Sequence, residues 1–161
     1  MSPGFASFRK RILNRFSYRM FLLSRLPLVW ISGIRVESLS QISCTTSVRY
    51  GWINRNPFGS LYFAVMQMAA ELSTGALCMG NIYKSDPAVS MLVIRTQAVY
   101  TRKAKGLIRF TCNDGLLIAS AAERACSDHQ PHEVNCSSVA VNETGEQVAE
   151  FQIIWSFKQR Q

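Results

Sequence analysis

The chain has 161 residues and a mass of 18.1 kDa, the size of one domain that can bury a core without disulfide bonds. Hydrophobic residues make up 48% of the sequence and charged residues 17%, which fits a globular chain. The net charge of +8 comes from the N-terminus, because seven of the 18 basic residues precede Glu37, the first acidic residue. Since no RNA-binding signature follows this basic stretch, we expect no nucleic-acid partner.

Five widely spaced cysteines are an odd number, and no cleavable secretory signal is evident. This pattern predicts reduced thiols and a cytoplasmic protein. The apolar run from Met20 to Ile34 is interrupted by Arg25 and Pro27 and falls short of the roughly 20 residues that span a bilayer. We therefore predict no transmembrane segment.

An N-terminal basic helix is predicted from Phe5 to Leu26, because apolar residues recur there at spacings of three and four, and Pro27 ends the pattern. Three interpretations stay open: a membrane-surface anchor, a targeting presequence, or a helix that packs its apolar stripe on the domain. We favour the packed helix over membrane contact. The stripe consists of Phe8, Ile12, Phe16, Met20 and Leu23. We assign residues 1–32 to this helix and its lead-in, and residues 33–161 to the main domain.

The stretch from Asn56 to Gly80 is apolar on nearly every face, which predicts a buried helix from about Phe58 to Cys78. Its single charge is Glu71, and a buried carboxylate is costly unless it is paired, hydrogen-bonded or protonated. The sequence leaves two explanations open. Glu71 is either a functional group or a structural acid paired with Arg95, Arg109 or a partner subunit.

The remaining segments predict strands and one short helix. Residues 33–50 form one bent strand or a hairpin around Ser40, and residues 88–101 form a strand paired through a turn with residues 107–112. A short helix covers residues 116–126. Strands follow at residues 133–141 and 147–158, and a slip in the alternation of the last one indicates a bulge. This order predicts an α+β fold in which a curved antiparallel sheet wraps around the long central helix.

The start of the central helix carries a spaced motif. Asn56 is followed by Gly59, Ser60 and the triplet Tyr62-Phe63-Ala64, and Glu71 stands nine positions after Tyr62. This series resembles hotdog-fold thioesterases of the phenylacetate-degradation type, which have Asn, Gly, Thr or Ser and then His-Gly-Gly at these spacings, with a carboxylate nine positions after the His. The segments FTCNDG at 110–115 and VAEFQIIWSFK at 148–158 resemble an uncharacterised branch of that superfamily.

The resemblance implies a hotdog fold and an acyl-CoA thioesterase-like activity without a cofactor. Glu71 would be the nucleophile or general base, and Asn56 a polar positioning residue. The oxyanion would be bound by backbone N–H at Phe63, beside Tyr62. Gly59, Ser60 and Gln67 would line the substrate pocket. Relatives in which two subunits share each active site imply a homodimer or homotetramer.

Three other interpretations follow from the residues themselves. The bulky Tyr62-Phe63-Ala64 triplet favours a non-catalytic protein that binds an acyl chain or another apolar ligand. Asn56 before Pro57 is typical of a helix cap rather than a substrate ligand. Zinc-ligand residue types are crowded into one short segment, so we expect no metal site there. These residues are Cys126, His129, His132 and Cys136.

Overall fold

A computed structural model describes residues 2–160. These residues contain five helices and six strands. The helices are α1 (Pro3–Leu13), α2 (Arg15–Arg25), α3 (Pro27–Ile31), α4 (Phe63–Ile82) and α5 (Gly115–Asp128). Six strands form one antiparallel sheet: β1 (Arg35–Leu39), β2 (Cys44–Arg49), β3 (Val89–Tyr100), β4 (Leu107–Cys112), β5 (His132–Val141) and β6 (Gln147–Gln159). The strand order is β1-β2-β4-β5-β6-β3, so β1 and β3 are the two edges.

Helix α4 is the element around which the sheet curves, as predicted. Its apolar residues pack on β2, β4, β5 and α5, while polar side chains on the same side bond to the sheet. The Thr46 hydroxyl donates to the Ala69 carbonyl at 2.7 Å. The hydroxyls of Ser73 and Ser138 lie 2.8 Å apart. Because these groups are fully buried, such bonds fix the rotation of α4 against the sheet.

The predicted N-terminal helix is present but is divided at Asn14. The side chain of Asn14 accepts a hydrogen bond from the Ser17 N–H at 3.0 Å, so it caps α2 just after α1 ends. The predicted apolar stripe is divided at the same point, since Phe8 and Ile12 are buried whereas Phe16 is 76% exposed. No helix in residues 2–160 is long and apolar enough to span a membrane.

Strand pairing confirms part of the prediction and corrects one point. Residues 33–50 form the β1-β2 hairpin, and a residue inserted in β6 at Val148 is the predicted bulge. The predicted pairing of β3 with β4 is wrong. Strand β4 lies between β2 and β5, whereas β3 pairs with β6 at the far edge of the sheet. The short segment 101–106 therefore crosses between strands instead of closing a hairpin.

Helix α4 begins at Phe63, five residues later than predicted. Residues 56–60 instead form a closed turn, in which Gly59 has a φ of 73°. That left-handed conformation favours glycine and is incompatible with a continuing α-helix.

Candidate functional site

The turn before α4 is organised by the side chain of Asn56. Its amide oxygen accepts from the N–H groups of Phe58 at 3.0 Å and Ser60 at 3.2 Å. Its amide nitrogen donates to the Ser60 hydroxyl at 3.0 Å and to the Leu61 carbonyl at 3.2 Å. The prediction that Asn56 caps the helix is therefore wrong. Tyr62 occupies the N-cap position of α4, and Asn56 closes the turn of residues 56–60 that precedes it.

The first residues of α4 present free backbone donors. The Tyr62 N–H donates to the Asn54 carbonyl at 2.9 Å, and the Tyr62 carbonyl accepts from Val65 and Met66. Phe63 and Ala64 are the first two helical residues, so their N–H groups have no carbonyl in a preceding turn of the helix. These unpaired donors, at the positive end of the helix dipole, favour a negative charge beside them.

The carboxylate of Glu71 is partly buried and unpaired. Within residues 2–160, the salt bridges do not include Glu71, and Arg109, one of its predicted partners, pairs with Glu37 at 2.9 Å. Arg95 makes none of these salt bridges either. Burial alone raises the pKa of Glu71 from 4.5 to about 6. An acid with this pKa can change its charge near neutral pH, which a solvated glutamate cannot do.

Gly75 and Trp155 lie beside the Glu71 carboxylate. A methyl group added to Gly75 would lie 3.0 Å from Glu71 Oε1 and 3.2 Å from Trp155 Cζ2, so the carboxylate and the indole lie against the same side of the helix. The indole is held in place because its N–H donates to the Thr74 hydroxyl at 2.9 Å. Neither Gly75 nor Trp155 was predicted to be a site residue. The signal in the sequence was the run of small residues late in the apolar helix.

Gln67 lies one turn before Glu71, which places the two side chains on the same face of α4. The amide nitrogen of Gln67 is buried, and in the part of the chain that the structure describes it has no hydrogen-bond partner. Burying an amide donor without a partner costs about 1–3 kcal/mol. An unpaired donor and an unpaired carboxylate on one helix face are therefore typical of a site built to receive a polar group from elsewhere.

The predicted site residues form two groups. Asn56, Gly59 and Ser60 meet in the turn, whereas Gln67 and Glu71 share one face of α4. Phe63 and Glu71 are eight residues apart on α4, which separates their backbones by about 12 Å. One carbonyl group cannot contact the Phe63 N–H and the Glu71 carboxylate of the same helix at that separation.

The residues of zinc-ligand type belong to α5, to the loop after it and to β5. In residues 2–160, no group of three or more His, Cys, Asp or Glu side chains is arranged to hold a metal ion. His132 Nε2 instead lies 2.8 Å from an Asp128 carboxylate oxygen. All five cysteines are free, and four of them are buried.

Several solved structures have a similar fold, and some of them are described as thioesterases. A Pseudomonas aeruginosa protein of unknown function, described as a probable thioesterase, is 22% identical with a TM-score of 0.76, covering 93% of this chain and 99% of its own. A thioesterase from Haemophilus influenzae is 11% identical with a TM-score of 0.63, covering 87% and 88%. The Escherichia coli PaaI protein of the phenylacetic acid degradation operon is 10% identical with a TM-score of 0.62, covering 91% and 93%.

At these low sequence identities, the structural similarity shows that the chain has the hotdog fold. This confirms the fold that the motif at the start of the central helix had implied. No curated protein is significantly similar to the chain. A family model does match, over residues 14–157, and it describes a domain of unknown function, DUF4442. The match includes the turn at Asn56, the whole of α4 and all six strands up to Phe157. The chain is therefore a member of the DUF4442 family, built on the hotdog fold.

Proposed function

We propose that the protein is an acyl-CoA thioesterase-like hydrolase that uses Glu71 as its reactive carboxylate and backbone N–H groups as its oxyanion site. The observation that carries the proposal is the unpaired Glu71 carboxylate, whose pKa burial raises to about 6. A structural acid in a hydrophobic helix would be paired, and Arg109 is committed to Glu37 instead. A buried carboxylate without a partner is typical of a catalytic group.

In the proposed reaction the Glu71 carboxylate attacks the thioester carbonyl, or removes a proton from the water that attacks it. Either route forms a tetrahedral oxyanion, and collapse of that intermediate breaks the C–S bond and expels the thiolate of the carrier. In the nucleophilic route the acyl group stays on Glu71 as a mixed anhydride, which water then hydrolyses to the free acid. In the general-base route the free acid forms directly, and the proton taken up by Glu71 passes to the thiolate. A base with a pKa near 6 is largely ionised at neutral pH and is more basic than a solvated glutamate. The Gln67 amide would hold the carbonyl or the water beside it.

The oxyanion would be bound by the Phe63 N–H of a second copy of the chain. The separation of about 12 Å between Phe63 and Glu71 along α4 requires the two groups at each site to come from different copies. Strand β3 supports such an assembly. It is a twelve-residue edge strand whose only charge is Arg95, and long apolar edges of this kind pair with another chain unless they are protected. We therefore propose a homodimer joined along β3, which two dimers could extend to a homotetramer.

A coenzyme A carrier fits the loops around the start of α4. The Lys103 amino group donates to the Phe58 carbonyl at 3.2 Å, which brings the basic segment 102–105 beside the turn that precedes the oxyanion site. Lys105 is exposed on this segment, and Arg55 is exposed on the preceding loop. Positive side chains near the entrance of the site would attract the phosphates of coenzyme A.

The test is hydrolysis of acyl-CoA thioesters, from acetyl through aromatic to long-chain, by the purified protein and by Glu71→Gln. The matched control is Glu123→Gln, which changes an exposed glutamate on α5. We expect one acyl class to be hydrolysed by the wild type and the control, and the Glu71 variant to be inactive. Hydrolysis retained in Glu71→Gln would remove Glu71 from the mechanism.

A second function, non-catalytic binding of an acyl chain or other apolar ligand, is favoured by the aromatic residues at the helix start. The rings of Tyr62 and Phe63 meet edge to face with centroids 4.9 Å apart, and Phe63 is 58% exposed. Side chains of this size beside the oxyanion donors leave less room for a thioester than the glycines of the similar family. Absence of hydrolysis across the panel, with an apolar ligand found in the purified protein, would support this function.

A further inference from the structure

Helices α2 and α3 display an apolar surface that the domain leaves uncovered. On α2 the buried residues are Tyr18 and Leu22. The opposite face carries Phe16, Met20 and Leu23, at spacings of four and three, and it is solvent-exposed. The following helix α3 buries only Val29. We use the term exposed N-terminal face for the large side chains that remain outside, which are Phe16, Met20, Leu23, Leu28, Trp30 and Ile31.

Positive charge surrounds the exposed N-terminal face. Arg15, Arg19 and Arg25 are exposed on α2 among the apolar residues, and Lys10 and Arg11 line a shallow groove with Phe16 and Met20. No acidic residue precedes Glu37 in the sequence. A second copy of this face would bring like charges together, which opposes a symmetric protein contact here.

We propose that the exposed N-terminal face binds the surface of an anionic phospholipid membrane. A helix such as α2, which combines several Arg residues with exposed Phe and Leu, typically lies in the plane of the interface, with its apolar side chains among the acyl chains. Trp30 is the type of residue enriched at that depth. The groove beside Phe16 would place lipid phosphates against Lys10 and Arg11. Since no described helix can span a bilayer, the contact is peripheral.

The position of α2 in the fold leaves this contact sterically free. Helix α2 touches α1 and α3, and α1 in turn packs on α4 and β1. The β3 edge proposed for dimerisation is at the opposite end of the sheet from β1. The face proposed to bind the membrane is therefore separate from the edge proposed for the dimer. Membrane binding can be tested independently of the proposed thioesterase activity.

The test is co-sedimentation of the full chain with vesicles of phosphatidylcholine alone or mixed with phosphatidylglycerol. We expect binding to the mixed vesicles that weakens with added salt. Arg15→Ser with Arg19→Ser should weaken it roughly thirty-fold, since each basic residue near such a surface contributes about 1 kcal/mol. Phe16→Ser with Met20→Ser should weaken it at least roughly ten-fold through lost apolar burial.

The controls are Leu116→Ser and Arg124→Ser, which change an exposed apolar and an exposed basic residue on α5. Both should bind as the wild type does, and all variants should keep the far-ultraviolet circular dichroism of the wild type. Absence of wild-type binding, or equal losses in the controls, would overturn the proposal. So would binding that needs the arginines but not Phe16 and Met20, because that result would show that the apolar side chains do not enter the membrane.

Discussion

Replacing Glu71 by glutamine should stabilise the protein at neutral pH. Burial raises the pKa of Glu71 from 4.5 to about 6, which corresponds to about 2 kcal/mol of free energy of unfolding. Below pH 4.5 the carboxyl is neutral in the folded and unfolded chains, and this stability is fully present. It is lost as the pH rises through about 6, because only the unfolded chain ionises without cost. The amide of glutamine has no charge to desolvate, so Glu71→Gln should keep this stability as the pH rises.

The assay is urea unfolding of the wild type, Glu71→Gln and the exposed-site control Glu123→Gln at about pH 4 and about pH 8. We expect similar stabilities at the lower pH. At the higher pH Glu71→Gln should be about 2 kcal/mol more stable, or about 4–8 °C higher in Tm. If Glu71→Gln were instead less stable than the wild type at the higher pH, the carboxylate must have a stabilising partner, and the inference that it is unpaired would be refuted.

Three further predictions concern activity and packing. If Glu71 is the base or nucleophile, the rate of thioester hydrolysis should rise with pH around a midpoint near 6, and a flat profile would argue for another group. Gly80→Ala should lower the free energy of unfolding by about 1–3 kcal/mol, because its methyl group would lie 2.7 Å from the Phe5 ring. Asn56→Ala should cost at least about 1–3 kcal/mol, since the turn loses both amide donors and its acceptor; unchanged stability would show that the turn closes without them.

The sequence predicted the central helix and drew attention to Glu71, because a lone charge among apolar residues is a strong local signal. It could not predict that Glu71 is unpaired. That result depends on the register of β1, β2 and β4, which places Arg109 against Glu37 and away from α4. Such register follows from packing of the whole sheet, which no local pattern records.

The helix start and the place of β3 were mispredicted for different reasons. Pro57 is suited to a first helical turn, but Gly59 takes a left-handed conformation and Asn56 closes a turn around it. For β3, a short loop between two strands suggested a hairpin, whereas the longer pairing of β3 with β6, from Val89 to Tyr100, determines its place. The helix start was therefore decided by a local turn, whereas the place of β3 was decided by pairing between residues distant in the chain.

The bond between the Trp155 indole and Thr74 gives the protein an internal optical reporter. Trp155 is 4% exposed and lies against the same side of Gly75 as the Glu71 carboxylate, whereas Trp30 and Trp52 are open to solvent. A water-soluble quencher such as iodide should therefore suppress the emission of the two exposed indoles and leave that of Trp155. The remaining fluorescence would follow the charge of Glu71 and the arrival of any molecule beside it, without a label and without knowledge of the substrate.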